Sequence, residues 1–187
     1  MERFLSGLGG VAFAFALTLS AVPQDASAHG PTRQKVTITK EISAPADKIW
    51  SLVQNFDDMS WHPAVAKTTG KGGNGEGATR VLNLGAADGP TIDEELYKYD
   101  TTKMSYSYRI TAVDVKVLPV TNYSSTLTVI PVDDKSSKVE WRGAFYRGYP
   151  NNDPPPELND EAAIKAVTGV YEAGLDNLKK LSEAQTN

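Results

Sequence analysis

No cysteine occurs in the 187 residues, and histidine occurs only twice. The first absence excludes disulfides, thioether-linked haem and thiolate chemistry, so the domain must be held by its core alone. The second leaves no histidine spacing of the kind a metal centre needs. Positive charge is not in excess either: 19 Lys and Arg stand against 23 Asp and Glu, a net charge of −4. Such a chain has no electrostatic footprint for nucleic acid. Long apolar runs are also missing. The run Val11–Leu19 is shorter than the ~20 residues of a spanning helix, and no later segment supplies one, so no membrane span is expected.

What is present begins with an export signal. Arg3 precedes that apolar run, and the small residues Ala26-Ser27-Ala28 follow it, the pattern of a secretory signal peptide over residues 1–28. Cleavage after Ala28 is expected to release a protein starting at His29 into a bacterial periplasm. Residues 29–187 are one domain's worth, with a core over about 36–182.

Along the chain, "QKVTITKEI" alternates apolar and polar residues and predicts a first strand. "SAPADKIWSLVQNF" then changes to helical period, with Ser43 as N-cap, Pro45 in the first turn, and Ile49, Trp50, Val53 and Phe56 on one face. A Gly-, Pro- and Asp-rich junction follows, containing a strand near Val65 and the turn "GKGGNGEG". That turn lacks the Lys-Ser/Thr ending of a phosphate loop and reads as flexible. Strands are predicted around Thr79–Leu84, Ile92–Tyr99, Met104–Thr111, Tyr123–Ile130 and Lys138–Gly148. After "NNDPPPELND", Asn159 or Asp160 caps a long helix whose stripe is Ile164, Val167, Tyr171, Leu175 and Leu178. The order predicts an α+β fold: a curved antiparallel sheet wrapped around one long C-terminal helix, with short helices after strand 1.

Two charges break the apolar phase. Arg80 shares a strand face with Leu82 and Leu84, and Glu94 shares one with Ile92 and Leu96. A hairpin centred on Ala87 sets Leu84 against Pro90, Leu82 against Ile92, Arg80 against Glu94 and Ala78 against Leu96. Opposed charges on one inward face point to a wet cavity, since a dry buried pair costs several kcal/mol of desolvation. The ordinary alternative is two strand-end side chains snorkelling into water. Tyr106 and Tyr108 fall on one face of the next strand, and Trp141 and Phe145 on one face of the last. With Tyr123 they suit a mostly apolar small-molecule site, and equally an ordinary core.

The segments "ISAPADKIWSLVQNFDDMSWHPAV", "GATR", "EELYKYD", "MSYSYRI", "LPVTNYSSTLTV" and "KVEWRGAFYRG" resemble the helix-grip (SRPBCC) superfamily of START domains, Bet v 1-like proteins and polyketide cyclase-like proteins. "HGPTRQKV", "DMSWHP", "VKVLPVTNY" and "NDPPPELND" further resemble the MxaD family, exported accessory proteins of bacterial methanol oxidation. The resemblance implies a periplasmic protein without a catalytic centre or cofactor, favouring electron transfer between methanol dehydrogenase and its cytochrome c. It also implies that Glu94 matches an inward carboxylate of ligand-binding members, and Arg80 the basic residue before it.

Three functions follow, in descending order. The first is docking on a redox partner. The second is carriage or sensing of a small hydrophobic or aromatic ligand, with Trp61, His62, Arg80, Glu94, Tyr106, Tyr108, Tyr123, Trp141 and Phe145 as candidate cavity residues. The third is a cyclase- or dehydratase-type enzyme using Glu94 or His62. His62, between Trp61 and Pro63, reads first as a rim histidine packed on Trp61, because no nucleophile motif accompanies it. A weaker metal alternative is copper on the amine and imidazole of an exposed His29, with His62 as a third ligand; a terminus next to Gly30 and Pro31 gives no reason for them to meet.

Overall fold

In the computed structural model, which describes residues 30–184, the two-residue period of the sequence becomes seven strands. They are β1 (Gln34–Ile42), β2 (Val65–Lys71), β3 (Thr79–Leu84), β4 (Thr91–Asp100), β5 (Ser105–Val113), β6 (Val120–Asp133) and β7 (Ser136–Arg147). Helix α1 (Ala46–Val53) joins β1 to β2, and α2 (Asp160–Ala184) ends the fold. The sheet order is β1-β7-β6-β5-β4-β3-β2, antiparallel throughout. Register shifts in β4 at Asp93/Glu94 and Leu96/Lys98 mark bulges, which bend and twist a sheet. The expected signal peptide and His29 lie outside the described residues.

The first strand behaves as its alternation requires: β1 buries Val36 and Ile42 and exposes Lys35 and Thr37. Helix α1 departs from expectation at its start. Pro45 occupies the N-cap position with no side-chain cap, and Ser43 instead donates its backbone N–H to Glu183 Oε1 at 2.9 Å, tying α1 to the end of α2. Where short helices were expected after β1, α1 is the one α-helix; the following chain turns repeatedly and sends Phe56, Met59, Trp61 and His62 inward. The glycine turn is not slack either. Asn74 Oδ1 accepts the Phe56 N–H at 2.8 Å, and its Nδ2 donates to the Tyr99 hydroxyl at 3.2 Å. Gly72, Gly73 and Gly77 all have positive φ, so this loop needs residues without a Cβ.

Helix α2 is capped by Asn159, whose Oδ1 accepts the Ala162 N–H at 2.8 Å. Its buried stripe is Ala163, Val167, Tyr171, Leu175 and Leu178, and Ile164, expected on that stripe, is 36% exposed. Spacing explains the difference: four-residue steps from Tyr171 lead back to Val167 and Ala163, leaving Ile164 on the flank. Full burial of Leu175 and Leu178 contributes about 1.5–3 kcal/mol each. The helix lies over β1 and β7, and glycines let it approach. A Cβ at Gly174 would meet the His62 and Trp141 rings, and one at Gly143 would overlap the Tyr171 hydroxyl.

Candidate functional site: a small cavity beside a buried ion pair

The β3–β4 hairpin has the register its two odd charges demand. Arg80 pairs with Glu94 and Leu82 with Ile92, while Leu84 N–H bonds Pro90 O and Leu96 N–H bonds Ala78 O. Both charges point inward, Arg80 1% and Glu94 5% exposed, so neither snorkels. Arg80 Nε donates to Glu94 Oε2 at 2.6 Å and Nη1 to the Phe56 carbonyl at 2.7 Å. Its Nη2 meets no acceptor in good hydrogen-bond geometry among the described residues, though the Tyr106 hydroxyl is a neighbour of the guanidinium, whose carbon lies 4.2 Å from the Phe56 ring centroid and 5.0 Å from that of Tyr108. The cation is therefore held between π faces. Burial raises the Glu94 carboxyl above its ordinary range, against the pull of Arg80. Arginine stays charged, so the carboxyl retains its counter-ion.

A second polar network bridges sheet and helix. Trp141 Nε1–H points at Ser125 Oγ (3.0 Å) and the Tyr108 hydroxyl (3.1 Å), while Ser125 Oγ donates to the Arg142 carbonyl at 2.9 Å. Tyr171 stacks on Trp141 at 4.4 Å, with its hydroxyl 2.9 Å from Ser125 Oγ and 2.6 Å from the Tyr123 hydroxyl. Since the Ser125 proton goes to a carbonyl, Tyr171 donates to Ser125 and accepts from Tyr123. The Tyr108 hydroxyl accepts from Trp141, and its own proton meets no acceptor among the described residues. Burial raises all three phenols, so they stay neutral.

Between these two networks lies a cavity of about 90 Å³. Its polar lining is His62, Glu94, Tyr108, Tyr123 and Trp141; Met59, Leu82, Ile92 and Val170 supply apolar wall, and Val117 and Leu118 of the β5–β6 loop also line it. Arg80 is the hydrogen-bond donor Glu94 has among the described residues, and it occupies Oε2. Glu94 therefore offers the cavity an acceptor, and Tyr108 a donor.

Five of the nine candidates from sequence thus line the cavity, and four stand behind it. Trp61 packs on Trp141 at 5.5 Å, Tyr106 on Trp50 and Phe56, and Phe145 on Tyr123 at 6.0 Å, while Arg80 reaches the cavity only through Glu94. His62 is buried and fully engaged: Nε2 meets the Val170 carbonyl at 3.0 Å, and Nδ1 accepts the Ala64 N–H at 3.2 Å. That fixes the proton on Nε2 and leaves no nitrogen lone pair for copper, against the third-ligand idea; the ring is buried rather than at a rim, but it does pack on Trp61, with centroids 5.8 Å apart. Burial lowers its pKa, the Val170 bond opposing and Arg80 adding to the shift. Among the described residues no cluster of three metal-ligating side chains occurs. Ser125 was missed in the sequence, although a serine between Tyr123 and Leu127 breaks an apolar phase as Arg80 and Glu94 do.

Residues 33–183 match the family described as polyketide cyclase / dehydrase and lipid transport. The chain belongs to this family. Among solved structures, an uncharacterized protein from Bacillus thuringiensis is similar to it at 30% identity, covering 79% of this chain and 98% of that one, TM-score 0.66. XoxI from Bacillus cereus is similar at 29% identity, over 82% of this chain and 98% of that one, TM-score 0.68. Norcoclaurine synthase from Thalictrum flavum, solved with dopamine and hydroxybenzaldehyde, shares the Bet v 1-like, helix-grip fold at 16% identity, 94% and 99% coverage and TM-score 0.60. No protein of curated function matches the chain. The family contributes the fold, and the site's chemistry has to be read from the side chains.

Proposed function

We propose that this chain works by binding, not turnover, and that its cavity takes a small, neutral organic molecule carrying a hydroxyl group. The observation that carries this is the Glu94 carboxylate, neutralised by Arg80 on one oxygen and facing the cavity. A hydroxyl both donates and accepts, which matches Glu94 and Tyr108 together. Size narrows the class further. A cavity of roughly 150 Å³ holds benzene, and this one is about 90 Å³, so a short-chain alcohol fits where an aromatic ring requires widening. Titration with 1-propanol and with phenol, followed by amide NMR shifts of cavity residues, tests it. The alcohol should shift residues around Glu94 in wild type and much less in Glu94→Leu; no shift in wild type defeats the proposal.

The segments that resemble MxaD proteins support a second reading, an exported accessory protein of methanol oxidation in the periplasm. In that role it promotes contact or electron transfer between methanol dehydrogenase and its cytochrome c. An unchanged transfer rate when the purified protein is added at matched ionic strength rules this reading out. An enzyme of the cyclase or dehydratase type remains the third reading, with Glu94 as base; turnover lost in Glu94→Gln would select it over binding alone.

A further inference from the structure

The outer face of the sheet carries a trough that the cavity does not use. Register builds it: Lys35 and Ser124 flank Ala144, while Thr37 and Thr126 flank Arg142. Over the small residues of β7 this recess encloses about 290 Å³, with Tyr97, 42% exposed, also lining it. A second recess of about 250 Å³ shares Thr126 and Arg142 and continues to Lys98 and Lys103. Four cations line the pair of recesses against one carboxylate, Asp100, which is 3.8 Å from Lys103. Lys35, Lys98 and Arg142 have no ion-pair partner among the described residues. In a chain of net charge −4 the recesses themselves are positive, with Glu140 at their edge, on the same side of β7 as Arg142 and between Thr39 and Thr128.

We propose that this face docks an extended, acidic protein segment, whose Asp and Glu side chains meet Lys35, Arg142 and Lys98. Its amide and backbone groups meet the hydroxyls of the floor. Extent favours a segment over a small anion: from β1 to β4 is four strand spacings, about 19 Å at ~4.8 Å each. One small anion reaches one or two of these cations, whereas three or four spaced carboxylates reach them all. Exposed charges of this kind give modest affinity and fast, salt-dependent association. The inference stands apart from the cavity, which opens on the opposite face.

The test uses a fluorescein-labelled peptide of alternating glutamate and serine, and its glutamine counterpart, followed by fluorescence anisotropy. The glutamate peptide should bind and weaken at least about tenfold between ~50 and ~200 mM salt. Lys35→Glu with Arg142→Glu should weaken it about tenfold or more without changing the melting temperature, because both side chains are exposed and unpaired. Lys165→Glu, on the exposed side of α2, should leave binding nearly intact. Equal binding of the glutamine peptide, indifference to the double reversal, or an equal loss in Lys165→Glu overturns the proposal. So does binding of a sulfated oligosaccharide where the glutamate peptide fails, which assigns the face to another polyanion.

Discussion

Replacing Arg80 with methionine tests whether the buried pair is a true charge pair that the fold cannot leave half-made. Methionine keeps the apolar contact with the Phe56 and Tyr108 rings, so packing changes little. What disappears is the 2.6 Å contact to Glu94, the 2.7 Å bond to the Phe56 carbonyl and the attraction of the cation to the two π faces. Breaking a buried pair from one side costs about 3–5 kcal/mol, because the remaining charge is desolvated without compensation. For a domain of this size that lowers the melting temperature by roughly 6–20 °C, at ~2–4 °C per kcal/mol. Adding Glu94→Leu removes the stranded charge and leaves only the Phe56 carbonyl short of a donor, about 1–3 kcal/mol. The double variant should therefore be more stable than Arg80→Met alone. Acidification gives a second readout. Burial already raises the Glu94 carboxyl, and without Arg80 nothing opposes the shift. A carboxyl raised in the folded state favours folding at low pH and loses that contribution as pH rises through its folded pKa. The deficit of Arg80→Met should thus shrink as pH falls from 7. Urea unfolding followed by circular dichroism measures each case. A deficit below about 1 kcal/mol, one that grows on acidification, or a double variant less stable than the single would refute the reasoning.

Three further outcomes are expected. Gly174→Ala should destabilise by about 1–3 kcal/mol, since the added methyl meets the His62 and Trp141 rings; Gly169→Ala, facing open space on the same helix, should instead stabilise by up to ~1 kcal/mol. Thermal melts of the two variants check the contrast. His62 has a lowered pKa through burial, so the unfolded chain takes up a proton before the folded one does. Stability should fall as pH drops below the ordinary histidine value of 6.5, and His62→Gln should flatten that slope in melts between neutral and mildly acidic pH. Tyr171→Phe removes the hydroxyl joining Tyr123 to Ser125 and should cost about 1–2 kcal/mol in urea unfolding.

Phase was legible in the sequence, and depth was not. Alternation placed the strands, and the mirror arrangement of Leu82, Arg80, Ile92 and Glu94 about Ala87 gave the hairpin register that the structure has. The same alternation says which face a side chain takes but not how far along the sheet the space beneath it is filled. Trp61, Tyr106 and Phe145 therefore looked like Tyr108 and Trp141, although Trp50 packs with Phe56 on Tyr106, while room remains near Tyr108 and Ile110. Ser43 read as a cap because local sequence cannot show a competing partner 140 residues away, Glu183. The outer trough was equally hidden. Lys35 and Arg142 become near neighbours only once β1 pairs with β7.

The location of the cavity follows from how the helix is seated. Gly143 and Gly174 draw α2 toward β7 and the His62 loop, and α1 with its following turns fills the concave face near Trp50, Phe56 and Tyr106. Space remains where neither reaches, beside Glu94. An ion pair there gains little for the fold, since apolar residues of similar volume are often as good or better than a buried pair. The use proposed for it is recognition: Glu94 would keep one acceptor oriented in an apolar wall, and Arg80 would keep that acceptor charged. If so, stability and binding separate in Arg80→Met/Glu94→Leu, which should remain folded yet lose the 1-propanol response altogether. A double variant that still binds the alcohol would assign recognition to Tyr108 and the apolar wall, leaving the pair with no role beyond fixing the hairpin register.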